Sequence, residues 1–150
     1  MISMSCDQAK FLSVLDMAHG NGFGPKITGV NFNKCVLVGW NFQGKTLVSC
    51  AFSSCNLQGI DFSGCTFQGV SFSGCQMPFA NFSKCTGVAS FQQCTGASSK
   101  FAAANMNQWT IDNCDFSECD FRQVVLGNAK LTNSTCRNSQ FVSLAFPSTT

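Results

Sequence analysis

Large apolar residues recur at every fifth position through most of this chain, and a period of five belongs to no regular secondary structure. They stand at Ile27, Phe32, Leu37, Phe42, Leu47, Phe52, Leu57, Phe62, Phe67, Phe72, Met77 and Phe82, and smaller residues precede most of them by two positions: Val30, Cys35, Cys50, Cys55, Ile60, Cys65, Val70, Cys75 and Ala80. Five residues step about 140° around a helix and land on alternate faces of a strand. The chain therefore has to turn a corner within every repeat. If each corner is roughly a right angle, four repeats close a square coil of about 20 residues, and positions that far apart stack and share a chemical type.

The stacking test is met. After Phe82 the register slips by one residue and resumes at Phe91, Phe101, Met106, Ile111, Phe116, Phe121, Leu126, Leu131, Phe141 and Phe146. Allowing for that single deletion, one column reads Phe42, Phe62, Phe82, Phe101, Phe121, Phe141, and a second reads Cys35, Cys55, Cys75, Cys94, Cys114 and then Ser134. The lost residue predicts one irregular coil or bulge around positions 85 to 100. Gly at the fifth position of many early repeats (Gly29, Gly39, Gly44, Gly59, Gly64, Gly69, Gly74) suits corners that need a positive φ.

These columns, with segments such as Cys55-Asn56-Leu57-Gln58-Gly59 and Ala80-Asn81-Phe82-Ser83-Lys84, resemble the pentapeptide-repeat family from about Pro25 to Pro147. The resemblance implies an all-β fold, a right-handed quadrilateral parallel β-helix with the central and small residues inside. About six coils at the inter-strand spacing of about 4.8 Å make a rod of about 29 Å. The expected organisation is a capping helix and linker over 1–24, the β-helix over 25–148 and a tail at 149–150. The helix is read over Ser5 to Gly20, with Ser5 as N-cap, an apolar stripe of Phe11, Leu12, Leu15 and Ala18, and Gly20 past its end. Its apolar stripe would cover the open first coil, an exposed edge that otherwise invites pairing. No comparable helix is expected after Phe146, which leaves the C-terminal end as a partner or self-association surface.

Several residues depart from the pattern. Lys45, Trp40 and Trp109 occupy slots where small inward residues are expected, and Gly87 and Gly96 replace large central ones. Trp40 and Trp109 are candidates for being pushed outward, where each becomes a candidate protein contact, with local repacking the favoured account. Outward apolar positions at Val38, Val48 and Phe79 are further contact candidates. Asp112, Asp115, Glu118 and Asp120 form the densest run of carboxylates, on outward positions of one coil near Arg122 and Arg137. They are read as a solvated, partly salt-bridged face and as a candidate contact patch.

The chemistry available for catalysis or metal binding is sparse. The 11 cysteines include no Cys-x-x-Cys pair, and spacings of five, nine, ten and twenty place thiols in a packed core rather than around a tetrahedral ion. Stacked Cβ atoms about 4.8 Å apart exceed the usual 3.5 to 4.5 Å of a disulfide, so reduced thiols acting as small buried hydrophobes are expected. His19 is the single histidine, and no nucleophile, base and orienting group can be assembled around it. No enzyme, metal or cofactor is expected. Charged residues make up 11% and net charge is +2, without an acidic tail or basic block, so direct nucleic-acid or membrane-surface binding has little support. Asp7, Lys10 and Asp16 interrupt every apolar stretch near the start, which reads as a cytoplasmic chain, with later export as an effector left open.

The family resemblance implies two binding functions. One is a protein-interaction or scaffold module, alone or like the repeat segments of bacterial secreted effectors. The other is protection of type II topoisomerases such as DNA gyrase from quinolones, carried in the family by rods that mimic duplex DNA; repeats such as Asp61-Phe62-Ser63-Gly64-Cys65 look like those of quinolone-resistance members. Charge favours the first. A duplex about 29 Å long presents about 17 negative charges, and this chain has seven acids against nine bases.

Overall fold

A computed structural model describes residues 2–4 and 25–141. Nine strands form one parallel sheet: β1 (Ile2–Met4), β2 (Lys26–Thr28), β3 (Val30–Asn33), β4 (Thr46–Val48), β5 (Ala51–Ser53), β6 (Thr66–Ser73), β7 (Thr86–Gln92), β8 (Thr110–Asp112) and β9 (Lys130–Thr132). Their register is the predicted stacking. Leu47 pairs with Ile27 above it and Phe67 below it, and Phe52 sits between Phe32 and Phe72, so each turn consumes 20 residues. The chain winds a quadrilateral β-helix of five full turns, with a sixth running to Phe141. The predicted capping helix and the last residues, Phe146 included, lie outside the described residues; β1 lies along the first coil, parallel to β3.

Four faces result. The first carries central slots Ile27, Leu47, Phe67, Gly87, Met106 and Leu126, and the second carries Phe32, Phe52, Phe72, Phe91, Ile111 and Leu131. On the third and fourth faces the ladder reduces to single bridges, Val36 to Asn56 to Gln76 to Thr95 to Asp115 to Thr135, and Asn41 to Asp61 to Asn81 to Lys100 to Asp120 to Gln140. A short polar residue at the first outward position explains part of this. The Asn or Asp oxygen accepts the backbone N–H two residues on, as in Asn41 to Gln43, Asp61 to Ser63 and Asp120 to Arg122, and so holds the corner as a turn.

All seven glycines assigned to corners have positive φ, from 63° at Gly74 to 72° at Gly44. Fourteen non-glycine residues hold corners in the same region, at a cost of roughly 1 to 2 kcal/mol each. Burial of the interior offsets that cost. The column Phe42, Phe62, Phe82, Phe101, Phe121, Phe141 stacks with centroids 4.9 to 5.3 Å apart, and the second-face phenyls meet it edge to face.

The residue lost from β7 shifts its register against β6: Gln68 pairs with Val88, but Val70 pairs with Ala89, which leaves Gly69 of β6 bulged and unopposed. Here the outward reading of Trp109 is corrected. Its side chain is completely buried, its rings lie 6.0 Å from Phe67 and 5.6 Å from Phe91, and its Nε1–H donates to Gly87 O at 3.0 Å. The missing side chain of Gly87 leaves the room that the indole uses. A Cβ at Gly87 would lie 1.9 Å from Phe67 O, so the backbone has closed onto the coil above. Phe116 fills the slot of Gly96 in the same way, its ring 2.6 Å from where a Cβ would stand. Trp40 is buried too, 6% exposed, and packs on Phe42 at 6.4 Å. Neither tryptophan is a surface contact.

Candidate interaction surface

Because the central slots of the first five coils point inward, the apolar side chains left outside them are mostly ones the core does not need. The large exposed hydrophobics are Val36 (59%), Val38 (48%), Phe79 (65%), Val88 (42%), Leu131 (42%) and Phe141 (42%). Leu131 and Phe141 are central residues of the last described coil, and Val88 sits beside the bulge. The other three share the third face. Val36 and Val38 flank Leu37 in the first coil, and Phe79 occupies the corner after Pro78 in the third, above Ser98. Val38 and Phe79 are legible from sequence; Val36 is missed, although its signal is present, since it replaces the polar residue that most other repeats place before the central one.

The acidic residues lie two coils below Phe79 and spread across corners rather than converging. Asp112 leaves the second face and accepts hydrogen bonds from Thr132 Oγ1 at 2.7 Å and Asn133 Nδ2 at 3.3 Å. Asp115 stands on the third face; hydrogen bonds from the Ser117 hydroxyl and from Thr135 Oγ1 hold its carboxyl below the usual carboxylate range. Glu118 holds the next corner with φ 58°, and the Ser98 hydroxyl reaches it at 3.4 Å. Asp120 begins the fourth face, paired with Arg122 at 2.7 Å, and that guanidinium lowers its pKa. Around this corner runs a groove of about 240 Å³ lined by Ser98, Lys100, Glu118, Asp120, Arg122 and Asn138, among others. Both signs of charge line it.

The thiols do structural work that packing alone does not explain. Cys50, Cys55, Cys65, Cys75 and Cys85 each donate to the carbonyl 23 residues earlier, that of the central residue in the coil above, at 2.9 to 3.5 Å. Ser99 and Ser139 make the same bond through their hydroxyls. None of the ten described cysteines is in a disulfide. Burial pushes the Cys65 and Cys119 thiols up to about 12. Among the described residues no group of three His, Cys, Asp or Glu could hold a metal ion, and no helix is long and apolar enough to cross a membrane.

A parallel β-helix with filled interior columns and flat polar faces is a repeat-protein scaffold. Two family models match, pentapeptide repeat region over residues 26–88 and pentapeptide repeats over residues 111–143, and the chain belongs to the pentapeptide-repeat family. Among solved structures it is similar to QnrB1, a plasmid-mediated fluoroquinolone resistance protein, with a TM-score of 0.55 and 21% identity over 79% of this chain. This chain spans 63% of the length of that one. Weaker likenesses are to the pentapeptide-repeat protein Rfr23 of the cyanobacterium Cyanothece 51142 (TM-score 0.37, 11% identity, 83% of this chain and 89% of that one) and to HetL of Nostoc sp. strain PCC 7120 (TM-score 0.33, 17% identity, 77% and 54%). No curated protein matches the sequence.

Proposed function

We propose that this protein is a non-catalytic protein-interaction module whose third face, from Val36 and Val38 through Phe79 to Asp115 and Glu118, makes the contact. One observation carries the reading: of the large apolar side chains exposed before the last described coil, three of four, Val36, Val38 and Phe79, lie on the third face. A solenoid suits the task, since outward residues change without disturbing the columns inside. The test is affinity capture from the source organism with three immobilised chains: the native protein, a third-face variant (Val38→Lys with Asp115→Asn and Glu118→Gln), and a second-face control (Ser71→Lys). A partner held by the native chain and the control and lost by the third-face variant supports the reading. Equal retention by all three counts against it.

A second reading, protection of a type II topoisomerase, is motivated by the fold shared with the fluoroquinolone resistance protein. The surface charge weighs against mimicry of duplex DNA: the described acids are Asp61, Asp112, Asp115, Glu118 and Asp120, and Arg122 already pairs with Asp120. A gyrase supercoiling assay with ciprofloxacin decides it. Rescue or inhibition at near-stoichiometric protein establishes this reading, and no effect at large excess removes it.

A further inference from the structure

Successive strands of the β-helix stack at a step of 20 residues, or 19 across the deletion, except above the first coil. There β1 lies parallel to β3 with Ile2 opposite Val30, Ser3 opposite Asn31 and Met4 opposite Phe32, so that position 2 meets position 30, a step of 28. β1 is therefore not a turn of the winding but a strand laid onto the edge of β3, the way a sheet takes up an extended segment. Val30 and Phe32 are buried, and Ile2 and Met4 hold the register positions of their columns. The middle position is less well matched. Asn31 Oδ1 is buried and accepts no hydrogen bond, the one such side-chain atom among the described residues, and an unpaired buried acceptor costs stability. Elsewhere stacked outward residues satisfy each other across the coil step: Thr86 Oγ1 donates to Thr66 Oγ1 at 3.4 Å, Thr132 Oγ1 to Asp112 at 2.7 Å and Thr135 Oγ1 to Asp115 at 3.0 Å.

We infer that the edge of β3 is a strand-addition site with β1 as its resident occupant, and that it takes in place of β1 an extended segment of a different protein, parallel to β3, carrying Asn or Gln between two apolar residues. The chemistry follows from what the seat lacks. Main-chain hydrogen bonds to β3 are alike for any extended segment, so the choice rests on the three side chains. Alternate apolar residues fall in the columns of Val30 and Phe32. An amide between them stacks on Asn31 and donates to its Oδ1, as amides do along stacked parallel strands. A carboxylate there would set acceptor against acceptor, and a cation would have to be desolvated beside a neutral oxygen. A second copy offers only another Ile2–Met4, which gains nothing over the strand already seated. The tether holds β1 at an effective concentration on the order of millimolar, so a free segment displaces it only by binding better, and the missing hydrogen bond is where it does so. This edge is separate from the third face, and either reading can fail without the other.

The test has two arms, both in the full chain. Ser3→Asn supplies the amide from the resident strand. In the described ladders the residue before a central one donates its N–H to the coil above, as Asn56 does to Cys35 O, and Asn31 holds that position in the first coil. Hydrogen exchange at the Asn31 amide therefore reports how firmly the seat is filled. It should be at least tenfold slower in Ser3→Asn than in the native chain and no slower in Ser3→Asp. In the second arm Met4→Pro removes the N–H that a central residue donates to the coil below, as Leu57 does to Gln76 O, and so empties the seat. The acetylated peptides Met-Ile-Asn-Met-Ser and Met-Ile-Ser-Met-Ser are titrated against it while the backbone amides of residues 30–33 are followed by NMR. The Asn peptide should shift them at a concentration at least fivefold lower than the Ser peptide, and should need more against the native chain, where β1 competes. Unchanged exchange in Ser3→Asn overturns the inference, and this arm stands whether or not Met4→Pro folds. Equal shifts by the two peptides, equal binding to native and Met4→Pro chains, or shifts outside the first coil overturn it as well.

Discussion

At the level of single residues, the irregular coil turns on a pair that is complementary across one coil step. Gly87 has given up its side chain, and Trp109, in a slot meant for a small residue, fills the space and hydrogen-bonds the glycine carbonyl. Gly87→Ala is expected to cost about 3 kcal/mol or more, because the new Cβ meets the Phe67 backbone rather than a movable side chain. Trp109→Phe keeps most of the buried surface but leaves the Gly87 carbonyl without its donor, a loss of about 1 to 3 kcal/mol. Urea unfolding of both variants checks these values, and a neutral Gly87→Ala would refute the account of the bulge. The thiol slots allow a parallel comparison. Cys65 donates to Phe42 O at 2.9 Å, and Ser99 shows that a hydroxyl makes the same bond from the same kind of slot. Cys65→Ser should therefore be less destabilising than Cys65→Ala, the reverse of the order expected if the site asked only for an apolar atom.

Among the elements, the phenylalanine column should show a gradient along the axis. Phe82 lies between Phe62 and Phe101 and is ringed by Phe67, Phe72 and Phe91, whereas Phe141 has one stacking neighbour among the described residues and is 42% exposed. Phe82→Ala should cost about 3 to 5 kcal/mol and Phe141→Ala less than about 1 kcal/mol by urea unfolding. Equal costs would mean that the last coil is as tightly packed as the middle. This ladder was legible in the sequence because stacking repeats one local environment, and the same logic located the register shift to within a few residues of Val88 and Ala89. That Trp40 and Trp109 repack inward rather than turn outward as contacts could not be decided from the columns, for the complementary reason. A column rule judges each slot by its own size, while the room for the indole of Trp109 is created by a glycine 22 residues away. The contact surface was half legible: Val38, Phe79 and the acids stand out as departures from the motif, but that Phe79 shares a corner with Glu118 depends on counting through the deletion, and the hydrogen bonds that occupy Asp112 and Asp115 have no sequence signature.

On the scale of the whole molecule, most interior thiols resist ionisation in the folded chain, Cys114 beside Cys94 being lowered instead, and this couples stability to alkaline pH. Burial raises Cys65 and Cys119 from an ordinary value near 9 up to about 12, and Cys85 is raised as well, with burial again the leading cause. Because the folded chain holds these protons more tightly, their contribution is fully present below the unfolded pKa. It is lost as pH rises through the interval from about 9 to 12, where the unfolded chain ionises and the folded one does not. Each such thiol removes about 1.4 kcal/mol per pH unit in that interval, so Cys65 and Cys119 together account for roughly 3 kcal/mol between pH 8 and pH 10. The chain contains no tyrosine, which leaves lysine as the other side chain starting to titrate there. Urea unfolding at pH 8, 9 and 10 should show a steepening loss of stability, and Cys65→Ala, although less stable at pH 8, should lose less on going to pH 10. A native protein whose unfolding midpoint is unchanged across that range would mean that its thiols ionise alike in the folded and unfolded chain, against the geometry of a dry, hydrogen-bonded core.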